Sequence, residues 1–220
     1  KMAYGYSKYS LPFSVPLIPG RIFARTPDRG DVVVFKAPPV NDNDYIKRVI
    51  GLPGDTIQVK DGIVWLNGKP LKREPMADFV IPVTQNMIDA SRANGTLPCY
   101  SPEFEEIGAN GQRQCRYKRF KETLPSGKSY AILDITSIPE DNTAPVTVPA
   151  GHLFLMGDNR DRSADSRFPA VEGQGIGLVP EENLVGHALV TMFSTDGSAS
   201  WINPISWFTA ARWNRAGEGF

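Results

Sequence analysis

No apolar run in these 220 residues approaches the roughly 18 to 20 needed to span a bilayer, and no signal-peptide pattern opens the chain. Excess charge of either sign is also missing. The 24 Lys and Arg balance 24 Asp and Glu, so no basic stripe points to nucleic acid and no acidic tail to a solvating segment. Only two cysteines, Cys99 and Cys115, and two histidines, His152 and His187, are present. Their spacing is not that of a zinc site, which would want CxxC pairs or histidines beside them. Pro125-Ser126-Gly127-Lys128-Ser129 contains the end of a phosphate-binding loop, but Glu122 stands where that loop needs its first glycine. Asp158, Asp161 and Asp165 miss the alternate spacing and closing Glu of a calcium loop. Neither a metal nor a cofactor is therefore expected.

What the chain does have is turn chemistry. Its 20 Gly and 19 Pro are many for a helical protein and ordinary for a turn-rich β fold. Residues 1–28 alternate aromatics with prolines, as an extended crossover laid on a surface would. Val32-Val33-Val34-Phe35 and 45–50 read as strands around a Pro38-Pro39 loop. Two more, 57–59 and 63–65, flank the hairpin signal Asp61-Gly62, and Asn67-Gly68 makes a further turn. From about 70 to 148 the periodicity weakens, while 152–156 and 188–193 again read as strands. Near the end, Trp201, Trp207, Phe208 and Trp213 cluster with Arg212 and Arg215. That segment reads either as an amphipathic piece at a lipid interface or as one packed on the protein's own core.

Two segments carry chemistry. Residues 157–167 read GDNRDRSADSR: three Asp, three Arg, two Ser and one Asn directly after the apolar run Leu153-Phe154-Leu155-Met156. A solvated loop has this composition; so does a rigid, internally hydrogen-bonded turn at the end of a buried strand. The other segment runs from Asp44 to Asp55. Its strand alternation puts Tyr45, Lys47 and Val49 on one face and Ile46, Arg48 and Ile50 on the other. If Tyr45 and Val49 face the core, so does Lys47, and burial lowers a lysine pKa from about 10.4 by up to several units. A neutral amine at physiological pH is a general base. The alternative is an edge lysine pointing at water.

RGDVVVFK at 29–36, YIKRVIGLPGD at 45–55 and GDNRDRSADSR at 157–167 together resemble the successive signature boxes of bacterial type I signal peptidase. Softer similarity runs through Lys121–Pro125 and Val179–Gly186, so the likeness covers nearly the whole chain. The resemblance implies a mainly β fold: an antiparallel catalytic core, residues 1–56 and 150–220, with a β-rich domain, 57–149, inserted and few short helices. It implies a serine endopeptidase with a Ser–Lys dyad, cutting signal peptides from exported preproteins at small-x-small sites. Lys47 matches the general base, and Ser163 the serine that orients it. Asp165 and Arg167 match the ion pair that braces the site, with Asp158, Asn159, Arg160 and Arg48 around them. The edge at Asp44, Tyr45 and Ile46 matches the strand that seats the substrate.

The family's placement is the bacterial inner membrane, with the catalytic domain on the periplasmic side, so its partners are preproteins and a lipid surface. In that oxidising compartment Cys99 and Cys115 would be joined, for about 3 kcal/mol; in a cytosolic protein they would be two free thiols. One departure stands against the likeness. The family's nucleophile is a serine followed by methionine, and this chain has no Ser-Met dipeptide; Ser7, Ser10 and Ser14 lack its context. Lys1-Met2-Ala3-Tyr4-Gly5 resembles family sequence lying shortly after that serine. The expectation is a fragment without its anchor and nucleophile, inactive as it stands. A non-catalytic peptide-binding or scaffold homologue and a self-cleaving Ser–Lys repressor-type protease are the competing readings.

Overall fold

A computed structural model describes residues 4–10 and 21–188. Its paired strands run antiparallel apart from an isolated parallel bridge between Leu133 and Asn159, and among the described residues there is one α-helix, Gln85–Asn94. The fold is thus mainly β, as the turn-rich composition demands.

By contacts among the described residues the chain forms two compact units, one of 4–75 with 120–188 and one of 76–119. The division differs from the 57–149 boundary that the sequence suggested. Strands Thr56–Lys60 and Ile63–Leu66, and later Ser129–Leu133, lie in the larger unit. Their side chains share one apolar cluster with the central strand: Ile57, Val64 and Ile132 pack with Ile50, Phe154 and Met156. The strands at 57–59 and 63–65 were legible, but which core they join is set by long-range packing that local periodicity does not carry.

The larger unit is built on a five-stranded sheet. Its order is Val179–Pro180, His152–Met156, Asp44–Gly51, Val32–Lys36 and Leu184–His187. Leu153, Leu155, Val33, Phe35 and Val49 from this sheet are almost wholly buried, in a second cluster that includes Ile176 and Leu184. The hairpin signals read as written. Asp61 and Gly62 have φ of 48° and 74°, and Asn67 and Gly68 have 51° and 77°, the left-handed pairs that Asp-Gly and Asn-Gly supply most cheaply. Leu184–His187 forms a strand; of the one expected at 188–193, residues 189–193 lie outside the described residues, as does the Trp-rich stretch beyond them.

The smaller unit has a three-stranded sheet, Glu105–Ile107, Arg113–Tyr117 and Phe79–Pro82. Its helix is capped by Thr84, whose hydroxyl accepts from Met87 N, and ends at Gly95 with φ 64°. Cys99 and Cys115 are joined, and both are buried.

Candidate active site

Strand Asp44–Gly51 has a paired strand on both sides only at Arg48. Val32–Lys36 pairs with it from Asp44 to Arg48, but His152–Met156 reaches it only at Arg48, Val49 and Gly51. Val49 donates its N–H to the Asp31 carbonyl at 2.8 Å and accepts from Gly30 N at 2.7 Å, so its polar main-chain atoms face strand 32–36. Lys47 and Tyr45 point the same way by alternation, which turns the N–H and C=O of Asp44 and Ile46 to the opposite side. No strand pairs there among the described residues. The open edge is therefore Asp44 to Lys47, with Ile46 half exposed.

The partner strand stops because the chain turns out of the sheet at Gly157, and the turn that follows is not a solvated loop. Arg48, almost fully buried, donates through Nε and Nη2 to both carboxylate oxygens of Asp158, at 2.8 and 2.7 Å, and through Nη1 to the Gly30 carbonyl at 2.8 Å. Its guanidinium lies over the Tyr130 ring, 4.2 Å from the centroid. Asp165, wholly buried, accepts from Arg167 Nε at 2.9 Å and Nη2 at 3.0 Å, and from Gly157 N at 3.2 Å. Arg167 also donates to the Arg160 carbonyl. Asn159 accepts from Arg162 N at 3.1 Å, while its backbone bridges to Leu133. Asp44 is exposed and pairs with Lys36 at 3.0 Å.

Arg160 was expected to brace the site, and its partner is one the sequence reading missed. It donates to Glu122 at 2.6 and 3.2 Å, and Tyr130 Oη donates to the same carboxylate at 2.6 Å. All of Glu122 and nearly all of Arg160 is out of solvent. Burial alone would raise the Glu122 pKa, but the Arg160 charge overrides it and holds the carboxyl below its ordinary range. The signal was in the alternation: Phe120, Glu122 and Leu124 share a strand face, and a carboxylate in apolar phase needs a cation. Asp134, Asp141 and Asp161 also bring carboxylates within 4.8 Å of one another. Arginines engage two of them, Arg73 on Asp134 at 2.5 Å and Arg167 near Asp141 at 3.9 Å.

Lys47 lies beside Tyr45 and Val49, partly buried, with its ammonium 5.8 Å from the Tyr45 ring centroid. Burial lowers its pKa, Asp165 pulls it back up, and Arg167 pushes it down again. It makes no salt bridge or hydrogen bond to a described residue. Ser163 is buried, and its Oγ also lacks a hydrogen-bond partner among the described residues, so the two groups are not joined to each other. A Cβ at Gly157 would overlap Ser163 Oγ, so that glycine is what lets the serine sit there. The arrangement can supply an amine that loses its proton easily, next to an unpaired strand edge.

Residues 1–193 match the family model described as signal peptidase, peptidase S26. The chain is 39% identical over 204 residues to a signal peptidase I of Rickettsia typhi, covering 89% of this chain and 64% of that protein's length. It is 36% identical over 233 residues to that of Rickettsia conorii, covering 98% and 74%. A crystal structure of a signal peptidase I from Enterococcus faecalis V583 is 24% identical with a TM-score of 0.36, covering 74% of this chain and 97% of that one.

Two outcomes are expected from this geometry. Arg160→Met leaves Glu122 an uncompensated buried charge and should cost about 3–5 kcal/mol in urea denaturation, while Glu122→Leu with Arg160→Met should recover most of the loss. A cost below about 1 kcal/mol for the single change would show that Glu122 is solvated instead. For Lys47 the unfolded chain holds the proton more tightly than the fold does. Stability is therefore at its lowest below the folded pKa and rises with pH until the unfolded value, about 10.4, is passed. The stability gap between the native protein and Lys47→Met should accordingly change between pH 7 and 10 in favour of the native lysine. A gap that is flat with pH would mean an ordinary, solvated ammonium.

Proposed function

Because the chain belongs to the signal peptidase S26 family, we propose that it forms part of a serine endopeptidase that removes signal peptides from exported preproteins. The observation that carries this reading is the partly buried Lys47, its pKa lowered by burial, beside the open edge at Asp44–Ile46. Lys47 is the general base of a Ser–Lys dyad. In its neutral form, which burial favours, it takes the proton of a serine hydroxyl as that oxygen attacks the peptide carbonyl, then returns a proton to the leaving amine. Ser163 orients it in the working site, its Oγ free to bond the amine. The serine nucleophile belongs to the family's Ser-Met box, which no residue of this sequence matches.

The preprotein lies along the open edge as an added strand, its main chain meeting the outward N–H and C=O groups of Asp44 and Ile46. Alternate side chains of an extended peptide fall on one face, so the residue before the cut and the one two earlier both meet Ile46. A β-branched wall leaves space for Ala and little more. The enzyme works at the periplasmic face of the inner membrane, against a lipid surface. No helix among the described residues is long and apolar enough to cross a membrane.

Turnover of a precursor with a small-x-small site should be absent in this chain and present in one extended with the Ser-Met box. In the extended protein Lys47→Met should abolish the activity with the fold retained; full activity would remove Lys47 from the mechanism. Ser163→Ala should slow the reaction less, because it disturbs the base's position and not its identity. Ile46→Ala should relax the demand for small residues by about tenfold to a few hundredfold, the worth of one or two methylenes of pocket wall. Competition between substrates carrying Ala, Val or Leu at the two positions reads this directly. An unchanged ranking would mean that another segment forms the wall.

A further inference from the structure

Strand register puts Lys47 in a row of side chains on one sheet face. Val33 is the cross-strand partner of Lys47 on one side and of His187 on the other. Asp31 lies one step along, opposite Val49, and shares the face by alternation. Tyr4 packs on this face: it joins Val33 and Val49 in one buried cluster, and its ring centroid is 5.7 Å from that of His187. Its hydroxyl donates to Asp31 Oδ2 at 2.8 Å, both residues being buried. His187 Nε2 lies 3.7 Å from the other oxygen of that carboxylate. Burial, and then the bond to Asp31, push the Tyr4 phenol well above its ordinary pKa, so it stays a donor.

The main chain around Tyr4 is held as well. Its carbonyl accepts from Arg21 Nη1 at 3.1 Å and from Arg25 N at 3.3 Å. Arg21 also donates to the carbonyls of Glu182 and Leu184, the latter in the strand that bears His187. Gly5 has φ 86°, and a Cβ there would overlap the carbonyls of Ile22 and Phe23, so only glycine permits this approach. Packing alone does not call for a tyrosine here. A Phe would fill the same space without a hydroxyl to take out of water, so the bond to Asp31 is what the hydroxyl adds.

We propose that Tyr4 is a positioning residue: gripped by Asp31 and His187, it fixes the segment leading from the nucleophilic serine over the sheet face that carries Lys47. The proposal rests on the Ser–Lys reading given above. Lys1–Gly5 resembles family sequence lying shortly after that serine, so the segment pinned at Tyr4 is the one that leads from it. The two halves of the dyad then come from separate pieces of chain, and the hydroxyl meets the amine only if those pieces keep a fixed relation. Asp31 and His187 both flank Val33, the cross-strand partner of Lys47, so the grip on Tyr4 is referred directly to the base. A misplacement of about 1 Å between reacting groups can cost about a hundredfold in rate.

Two measurements test this, the first without turnover. In the 220-residue protein Tyr4→Phe keeps the ring and removes the bond to Asp31. Amide hydrogen exchange in the Tyr6–Ser7 strand should then quicken about tenfold, with exchange in Asp44–Gly51 unchanged. Equal exchange at Tyr6–Ser7 would overturn the grip. In the protein extended with the Ser-Met box, Tyr4→Phe should lower kcat about tenfold to a hundredfold and leave KM unaltered, because the substrate edge is untouched. Asp31→Ala should do the same, and Asp31→Asn, whose amide oxygen still accepts from the phenol, should recover most of the loss. Lys128→Gln removes another partner of Asp31, 3.4 Å away, and should leave kcat unchanged. A native kcat in Tyr4→Phe would overturn the positioning role and leave the dyad intact. So would a rise in KM alone, or an equal loss in Lys128→Gln, since substrate binding or the charge on Asp31 would then carry the effect. An extended protein inactive before any substitution would overturn the dyad reading, and the positioning role with it.

Discussion

Arg48 fastens the central strand to the turn that ends its partner strand, and the layout of the site depends on that attachment. Both carboxylate oxygens of Asp158 and the Gly30 carbonyl satisfy its guanidinium, and Tyr130 covers it. Strand His152–Met156 therefore leaves the sheet at the residue opposite Arg48. Had pairing continued, Asp44 to Lys47 would be an interior strand with no main-chain groups to offer. The same residue that closes the sheet on one side thus opens it on the other, one position from Lys47.

A turn this rich in charge is stable inside a protein only if nearly every charge is matched. Removing a carboxylate or guanidinium from water costs several kcal/mol, which short, doubly bonded pairs offset. Asp165 with Arg167, and Arg160 with Glu122 and Tyr130, meet that condition. Lys47 does not, and this asymmetry is chemically useful. Arg48 and Arg167 beside it are held by carboxylates, whereas Lys47 makes no ion pair with a described residue and burial loosens its proton. The orphaned Ser163 hydroxyl stands in the same turn, admitted by the missing side chain of Gly157.

Strand phase made part of this legible in advance. The alternation put Lys47 on one face with Tyr45 and Val49, and the Asp61-Gly62 and Asn67-Gly68 turns fell where their left-handed conformations require. Three ordered signature segments pointed to the family that the family model then matched. Glu122 was missed because its partner is 38 residues away in sequence and only the fold brings them together. The division at 76–119 was missed for a similar reason: which short strands share a core is decided by long-range packing, not by local periodicity.

The sequence by itself determined the fold class, the hairpins, the face on which Lys47 lies and the family to which its motifs belong, because these follow from local alternation, turn stereochemistry and contiguous residues. Only the tertiary structure decided that the charged turn is largely buried, that Arg160 answers Glu122 and that the sheet opens at Asp44–Lys47. Each of those depends on residues distant in the chain meeting in a low-dielectric interior, where a charge without a partner cannot stay, and no local rule of sequence encodes which partner arrives.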